Sequence, residues 1–206
     1  MPLIDSSAVA AQKWSRGEMR LTMLALRCMT TLLSAVALGV LVADKETRSI
    51  SINFPGLNQP LVVSKTARYS QSKALQFYVA ANAIVASYSV LQALRSLFLM
   101  LASLRPATSK ASAWTTYLLD QALAYLLLSA LGASSEVAYL AKKGNTNVGW
   151  NELCSMFGHY CNLVGASVIA GSLAFLQLVI ISGLSAYHLF YKTYGTGTSS
   201  QKEEPK

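Results

Sequence analysis

WTTYLLDQALAYLLLSALGASSEVAYL, residues 114–140, decides how the rest of the chain is read. The stretch is apolar over more than twenty residues. At ~1.5 Å per residue that is long enough to cross a hydrocarbon core of ~30 Å. One side chain in it does not belong in oil: Asp120, about two turns from the start. A carboxylate at that depth costs ~2.5–3.5 kcal/mol on insertion scales, so it requires a partner. The first apolar run carries the complementary anomaly, Arg27, also about two turns in. If four helices span the membrane, the first and third run in the same direction, and the two charges lie at equal depth. The expectation is an intramembrane Arg27–Asp120 pair. For Arg27 alone the plainer reading is snorkelling to the interface, but the shorter Asp120 has less reach.

Composition supports the membrane reading. Of 206 residues, 53% are hydrophobic and 13% charged. An ordinary soluble domain carries ~25% charged residues. The apolar residues fall into four runs, about 21–43, 75–101, 115–140 and 162–191, which leave no material for a separate soluble core. The reading is an all-α membrane protein, a four-transmembrane-helix bundle over 19–192. A disordered cytoplasmic N-terminus at 1–18 and a disordered cytoplasmic tail at 193–206 flank it. No apolar region precedes residue 21, so the first helix is expected to act as an uncleaved signal anchor. Lys13, Arg16 and Arg20 sit just ahead of that helix and argue for both termini in the cytoplasm. The net charge of +8 is then explained by membrane orientation and lipid contact, and no nucleic-acid binding is expected.

The loops differ in length. The first, 44–73, has a turn signal at Asn53-Phe54-Pro55-Gly56, with alternation around 49–54 and 61–63 that suits short strands. The second is short and follows Arg105-Pro106. Arg95, in the last third of the second helix, is placed to snorkel. The third loop holds Cys154 and Cys161. If that side is extracellular, a disulfide is the default. Metal binding by Cys154, His159 and Cys161 lacks a fourth ligand and a familiar spacing. Cys28 in the first helix reads as a packing residue or a palmitoylation candidate.

Helix contacts are expected where small residues recur. The fourth helix has Ala166, Ala170 and Ala174 at four-residue spacing, with Ser167 and Gly171 alongside. The third has Ser129 and Ala133. Such rows let backbones approach closely, within one bundle or between subunits. Catalytic machinery is not evident. His159 and His188 have no nucleophile or carboxylate at a recognisable spacing, and there is no phosphate-cradling glycine loop or CxxC pair. No catalytic residue, cofactor or metal is expected.

With these residues in view, the chain resembles the CASP-like proteins. This plant family is related to the Casparian strip membrane domain proteins and more distantly to MARVEL-domain proteins. The resemblance covers about residues 20–192. It rests on Arg27, on Asp120, on FYVAANAIVASYSVLQ (77–92), and on KKGN…W…C…F…C between Lys142 and Cys161. It implies a four-span plasma-membrane protein that forms homo- and hetero-oligomers, including homodimers and heterodimers with related members. It also implies a scaffold or barrier that organises local modification of the cell wall, with cell-wall-modifying enzymes as partners beside the lipid bilayer. The first loop lacks the distinctive stretch of the members that build the Casparian strip, so the implication reaches the scaffold class and stops short of the strip. The alternative class is a small channel or transporter, suggested by the charge pair and by Asn82, Ser87, Ser89 and Gln92 on the second helix. A pore would need polar residues along one face through the full depth. Claudins keep a cysteine pair in the first loop, which this chain lacks, and tetraspanins have a much larger last loop.

Overall fold

A computed structural model of the chain describes residues 16–52, 61–102, 110–145 and 152–194. Most of the two tails, the 53–56 turn, the end of the second helix at 105–106 and Trp150 lie outside the described residues. Residues 16–18 and 193–194, read as tail from the sequence, belong to helices.

Four helices dominate: α1 (Arg16–Ala43), α2 (Lys73–Leu101), α3 (Lys110–Lys143) and α4 (Gly158–Tyr194). Each contains a segment long and apolar enough to cross a membrane, so the chain is a multi-pass membrane protein. Between α1 and α2 stand two strands, β1 (Glu46–Ile52) and β2 (Leu61–Ala67). They pair antiparallel from Glu46 opposite Ala67 to Ile52 opposite Leu61. Both strands are longer than the alternation at 49–54 and 61–63 suggests. The Thr47 and Thr66 hydroxyls, 2.9 Å apart, tie the open end of the hairpin.

Local chemistry ends the helices where a polar chain must re-enter water. Ser72 caps the start of α2, with its hydroxyl accepting from the Leu75 amide. Gly144 ends α3 with φ 67°, a left-handed conformation that glycine adopts without a Cβ clash. Lys142 and Lys143 in the last turn of α3 complement the negative end of its dipole.

Helix α1 packs on α2 and α4, and α3 packs on α4 and α2, so α1 and α3 stand on one diagonal and α2 and α4 on the other. Beside the buried Ala81, Ala130, Ser182 and Leu189, the buried positions follow one rule. In α1 they are Arg27, Thr30, Ser34, Ala37 and Leu41; in α2, Leu75, Tyr78, Asn82, Val85 and Ser89; in α3, Asp120, Ala124, Leu127, Leu131 and Ser134. Val164, Ser167, Gly171, Ala174, Leu178 and Ile181 continue the rule in α4. Steps of three and four alternate in every helix, a period of ~3.5 that keeps one seam facing its neighbours. Small and hydroxyl side chains at many of these positions permit close approach, which is what drives helix association in lipid. The opposite faces carry Leu32, Ile84, Leu118, Leu128, Ile169 and Leu176, all about half exposed and suited to acyl chains.

Candidate functional site

Each diagonal of the bundle is closed by one polar contact, and the two contacts sit at different depths. On the α1–α3 diagonal, Arg27 donates from Nη1 to Asp120 Oδ1 at 3.1 Å and from Nη2 to Asp120 Oδ2 at 2.7 Å. The pair is bidentate, the geometry in which guanidinium and carboxylate fit best. Asp120 is fully buried and Arg27 is 6% exposed. The Tyr88 ring of α2 lies beneath the guanidinium, 5.6 Å from its carbon, and Gln92 donates to the Tyr88 hydroxyl at 3.1 Å. The charge is thus enclosed by a carboxylate and an aromatic face.

On the α2–α4 diagonal, the Tyr78 hydroxyl donates to the Ser167 carbonyl at 2.6 Å. Tyr78 is fully buried. Its ring occupies the space above Gly171: a Cβ built on Gly171 would fall on the Tyr78 hydroxyl and 3.0 Å from its Cζ. The Ser167 hydroxyl continues the contact sideways, donating to the Ala37 carbonyl of α1 at 2.6 Å. Ten residues separate Tyr78 from Tyr88 on α2, and likewise Arg27 from Ala37 on α1, so the two braces are ~15 Å apart along the axis. Lateral bonds run beside them. Thr30 pairs with Gln177 at 3.2 Å, and Ser182 donates to Gln121 at 2.7 Å.

The small residues of α4 divide by face. Ser167, Gly171 and Ala174 are buried within this bundle, Ala170 is half-buried and Ala166 is exposed. Ser167 and Gly171 therefore serve contacts inside the chain. Only Ala166 of the five is presented fully outward. On α2, Asn82 and Ser89 face the seam while Ser87 is exposed and donates to the Ala83 carbonyl. The polar groups suggested as a pore lining thus point in different directions. Tyr78, Leu41, Leu127, Leu178 and Val85, all fully buried, fill the centre.

The end of the bundle that carries the hairpin is cross-linked. Cys154 and Cys161 form a disulfide with Cα atoms 5.7 Å apart, within the usual range. The amides of Leu153 and Cys154 donate to the Ala141 carbonyl, which ties this loop to the end of α3. Glu46 of β1 reaches the start of α4, where its carboxylate accepts from the Tyr160 amide at 3.0 Å, and Arg48 Nε donates to its other oxygen at 2.9 Å. The Tyr160 amide holds the Glu46 carboxyl below its ordinary pKa, with Arg48 adding to the effect. An acid at a helix N-terminus also meets the positive end of the dipole. Nothing in the sequence marked Glu46, Tyr78 or Tyr88 as contact residues. Tyr78 and Tyr88 lie in the 77–92 stretch, whose polar residues Asn82, Ser87, Ser89 and Gln92 did not single out either tyrosine. Among the described residues there is no group of three or more potential metal ligands; Cys28 is reduced and exposed.

The comparisons with known proteins agree with one another. The Casparian strip membrane protein domain matches residues 16–177. The chain is 40% identical over 188 residues to CASP-like protein 2U9 of Selaginella moellendorffii, a match covering 91% of this chain and 90% of that protein. It is 41% identical over 170 residues to CASP-like protein 2U1 of Osmunda lancea, covering 82% and 91%. With CASP-like protein 2B1 of Arabidopsis thaliana it shares 35% over 188 residues, covering 91% and 96%. No solved structure matches the chain.

Proposed function

The chain belongs to the CASP-like protein family, and from that premise we propose that it is a non-enzymatic plasma-membrane scaffold or barrier protein that acts by self-association. The observation that carries the reading is the double cross-brace. Two diagonal contacts ~15 Å apart turn four helices into one stiff unit whose centre is filled. A unit of this kind is suited to tiling a membrane and ill suited to conducting through it, because Tyr78, Leu41, Leu127, Leu178 and Val85 fill its centre. The channel reading finds no support in this arrangement.

Orientation follows from the same parts. Four spans put both termini on one side, and Lys13, Arg16 and Arg20, before and at the start of the apolar span of α1, favour the cytoplasm. The disulfide and the hairpin then stand on the oxidising outer face, where a platform would meet cell-wall-modifying partners. Self-association uses outward positions, of which Ala166 on α4 and Gly132 on α3 are exposed and small.

Photobleaching recovery of a tagged chain at native level in a plant cell tests the proposal. An assembled platform recovers slowly, and Ala166→Leu or Gly132→Leu speeds recovery where those faces join copies. Fast recovery that no outward substitution alters would leave a freely diffusing protein and end the scaffold reading.

A further inference from the structure

A second feature lies beside the charge pair, at the end of the bundle away from the disulfide. A cavity of ≈ 230 Å³ opens among Arg20 and Arg27 of α1, Arg95 and Gln92 of α2, and Ser112 and Thr116 of α3. Arg20 begins the apolar span of α1, and Arg27 lies one heptad deeper, ~10 Å further along the axis. The cavity therefore occupies the headgroup-to-acyl boundary and not the bilayer centre. Met23, Leu99 and Met100 supply its apolar wall.

Charge decides what fits. Three guanidiniums line the space, and the carboxylate beside them, Asp120, is already held by Arg27. Among the described residues, neither Arg20 nor Arg95 has an acid within salt-bridge reach, and the Arg95 hydrogen bond is a long one, 3.4 Å to the Ser112 hydroxyl. Arg27 spends two of its five N–H donors on Asp120. Three arginines against one aspartate leave a surplus of two positive charges. A phosphomonoester carries ~−1.5 to −2 at pH 7, which matches that surplus. A phosphodiester headgroup offers a single negative charge on its phosphate. Arginine is also the side chain best shaped to grip phosphate oxygens in pairs. The volume lies below the ~300 Å³ at which pockets begin to enclose a drug-sized ligand. It suits a headgroup whose chains remain in the bilayer.

We propose that this cavity binds the phosphomonoester headgroup of an anionic lipid, with Arg20 and Arg95 gripping the phosphate at the interface and Arg27 closing the floor. Basic pockets between transmembrane helices are a known mode of anionic headgroup recognition. Here the ligand would seal the mouth of the bundle directly above the Arg27–Asp120 brace.

Native mass spectrometry of the full chain, released from detergent micelles, reads this directly. The chain is titrated in turn with phosphatidic acid, phosphatidylserine and phosphatidylcholine, and then with glycerol 3-phosphate as competitor. The expected result is one phosphatidic acid per chain, retained ~5-fold better than phosphatidylserine, as about one further negative charge implies, and by a wider margin over phosphatidylcholine. Arg95→Gln reduces retention ~5-fold, and the Arg20→Gln/Arg95→Gln double variant abolishes the preference. Both arginines are exposed, so the variants keep their disulfide and their thermal unfolding. Lys65→Gln/Lys73→Gln, at the opposite end, leaves retention unchanged. Equal retention of phosphatidic acid and phosphatidylserine would overturn the proposal, as would equal losses from the opposite-end variant. Displacement by glycerol 3-phosphate at equal concentration would overturn the lipid in favour of a soluble ester. The outcome does not depend on which end faces the cytoplasm, nor on whether copies assemble.

Discussion

The two ends of the bundle face the same mechanical problem and answer it with different chemistry. At one end the diagonal is closed by opposite charges, Arg27 and Asp120, beside a basic cavity. At the other it is closed by a neutral phenol, Tyr78, whose ring lies over Gly171 on a helix stapled by a disulfide. A buried ion pair is directional and unforgiving, because losing one partner strands the other charge in a medium that does not hydrate it. A buried tyrosine works through packing as much as through its hydroxyl, and losing the hydroxyl leaves most of the contact in place. The charged end therefore specifies which helices face each other. The neutral end sets how closely they approach.

The largest expected effect breaks the charged end. Arg27→Leu or Asp120→Leu should cost ~3–5 kcal/mol, read as the folded fraction in a denaturant titration of the purified protein. The double substitution should recover most of that loss, since two apolar groups replace a desolvated pair. Strictly additive losses would mean that the two residues do not meet.

Next comes the staple at the other end. Cys154→Ser/Cys161→Ser should lower stability by about 2.5 kcal/mol in the chain-entropy model for so short a loop. An impermeant thiol reagent on intact cells should label the native protein only after a reductant is added. Labelling without reductant would show that the thiols are unpaired.

The neutral brace is sharpened by a smaller test. Gly171→Ala places a methyl group on the Tyr78 hydroxyl and should cost ~1–3 kcal/mol through overpacking. Tyr78→Phe alone loses one hydrogen bond, ~1 kcal/mol. Combined, the two should cost less than their sum, because removing the hydroxyl removes the nearest obstacle to the new methyl. Additivity in this cycle would place the ring elsewhere.

The smallest effect concerns pH. The Glu46 carboxyl is held below its ordinary pKa by the Tyr160 amide, so its contribution is present above the unfolded-state value. It is lost only as pH falls through the lower folded value. The hairpin should stay docked on α4 through mildly acidic conditions and loosen only when pH falls below the ordinary glutamate range, seen as faster amide exchange at Tyr160. Glu46→Gln should remove that pH dependence while keeping a neutral acceptor. Loosening already at pH 6 would point to another group.

Much of this was legible before any coordinates. A run of twenty apolar residues has few fates, because backbone polar groups in oil must bond within their own segment. Asp120 and Arg27 were conspicuous because charges are rare at that depth, and the paired cysteines of the third loop were conspicuous for the same reason of rarity. The hidden part was the face each helix buries. In a soluble helix a polar side marks the outside, but α2 and α4 meet lipid on one side and protein on the other, and both favour apolar side chains. The seam running Leu75, Tyr78, Asn82, Val85 and Ser89 is the more polar face, against Phe77, Ile84 and Leu91 outside, the reverse of a soluble helix. Ala166, Ala170 and Ala174 formed the more obvious row by spacing, yet the bundle turns Ser167 and Gly171 inward and Ala166 out. The sequence by itself determined how many helices there are, where they turn and which charges need partners. Only tertiary packing decided which faces meet, because in lipid that choice rests on shape and close approach, which hydrophobicity does not encode.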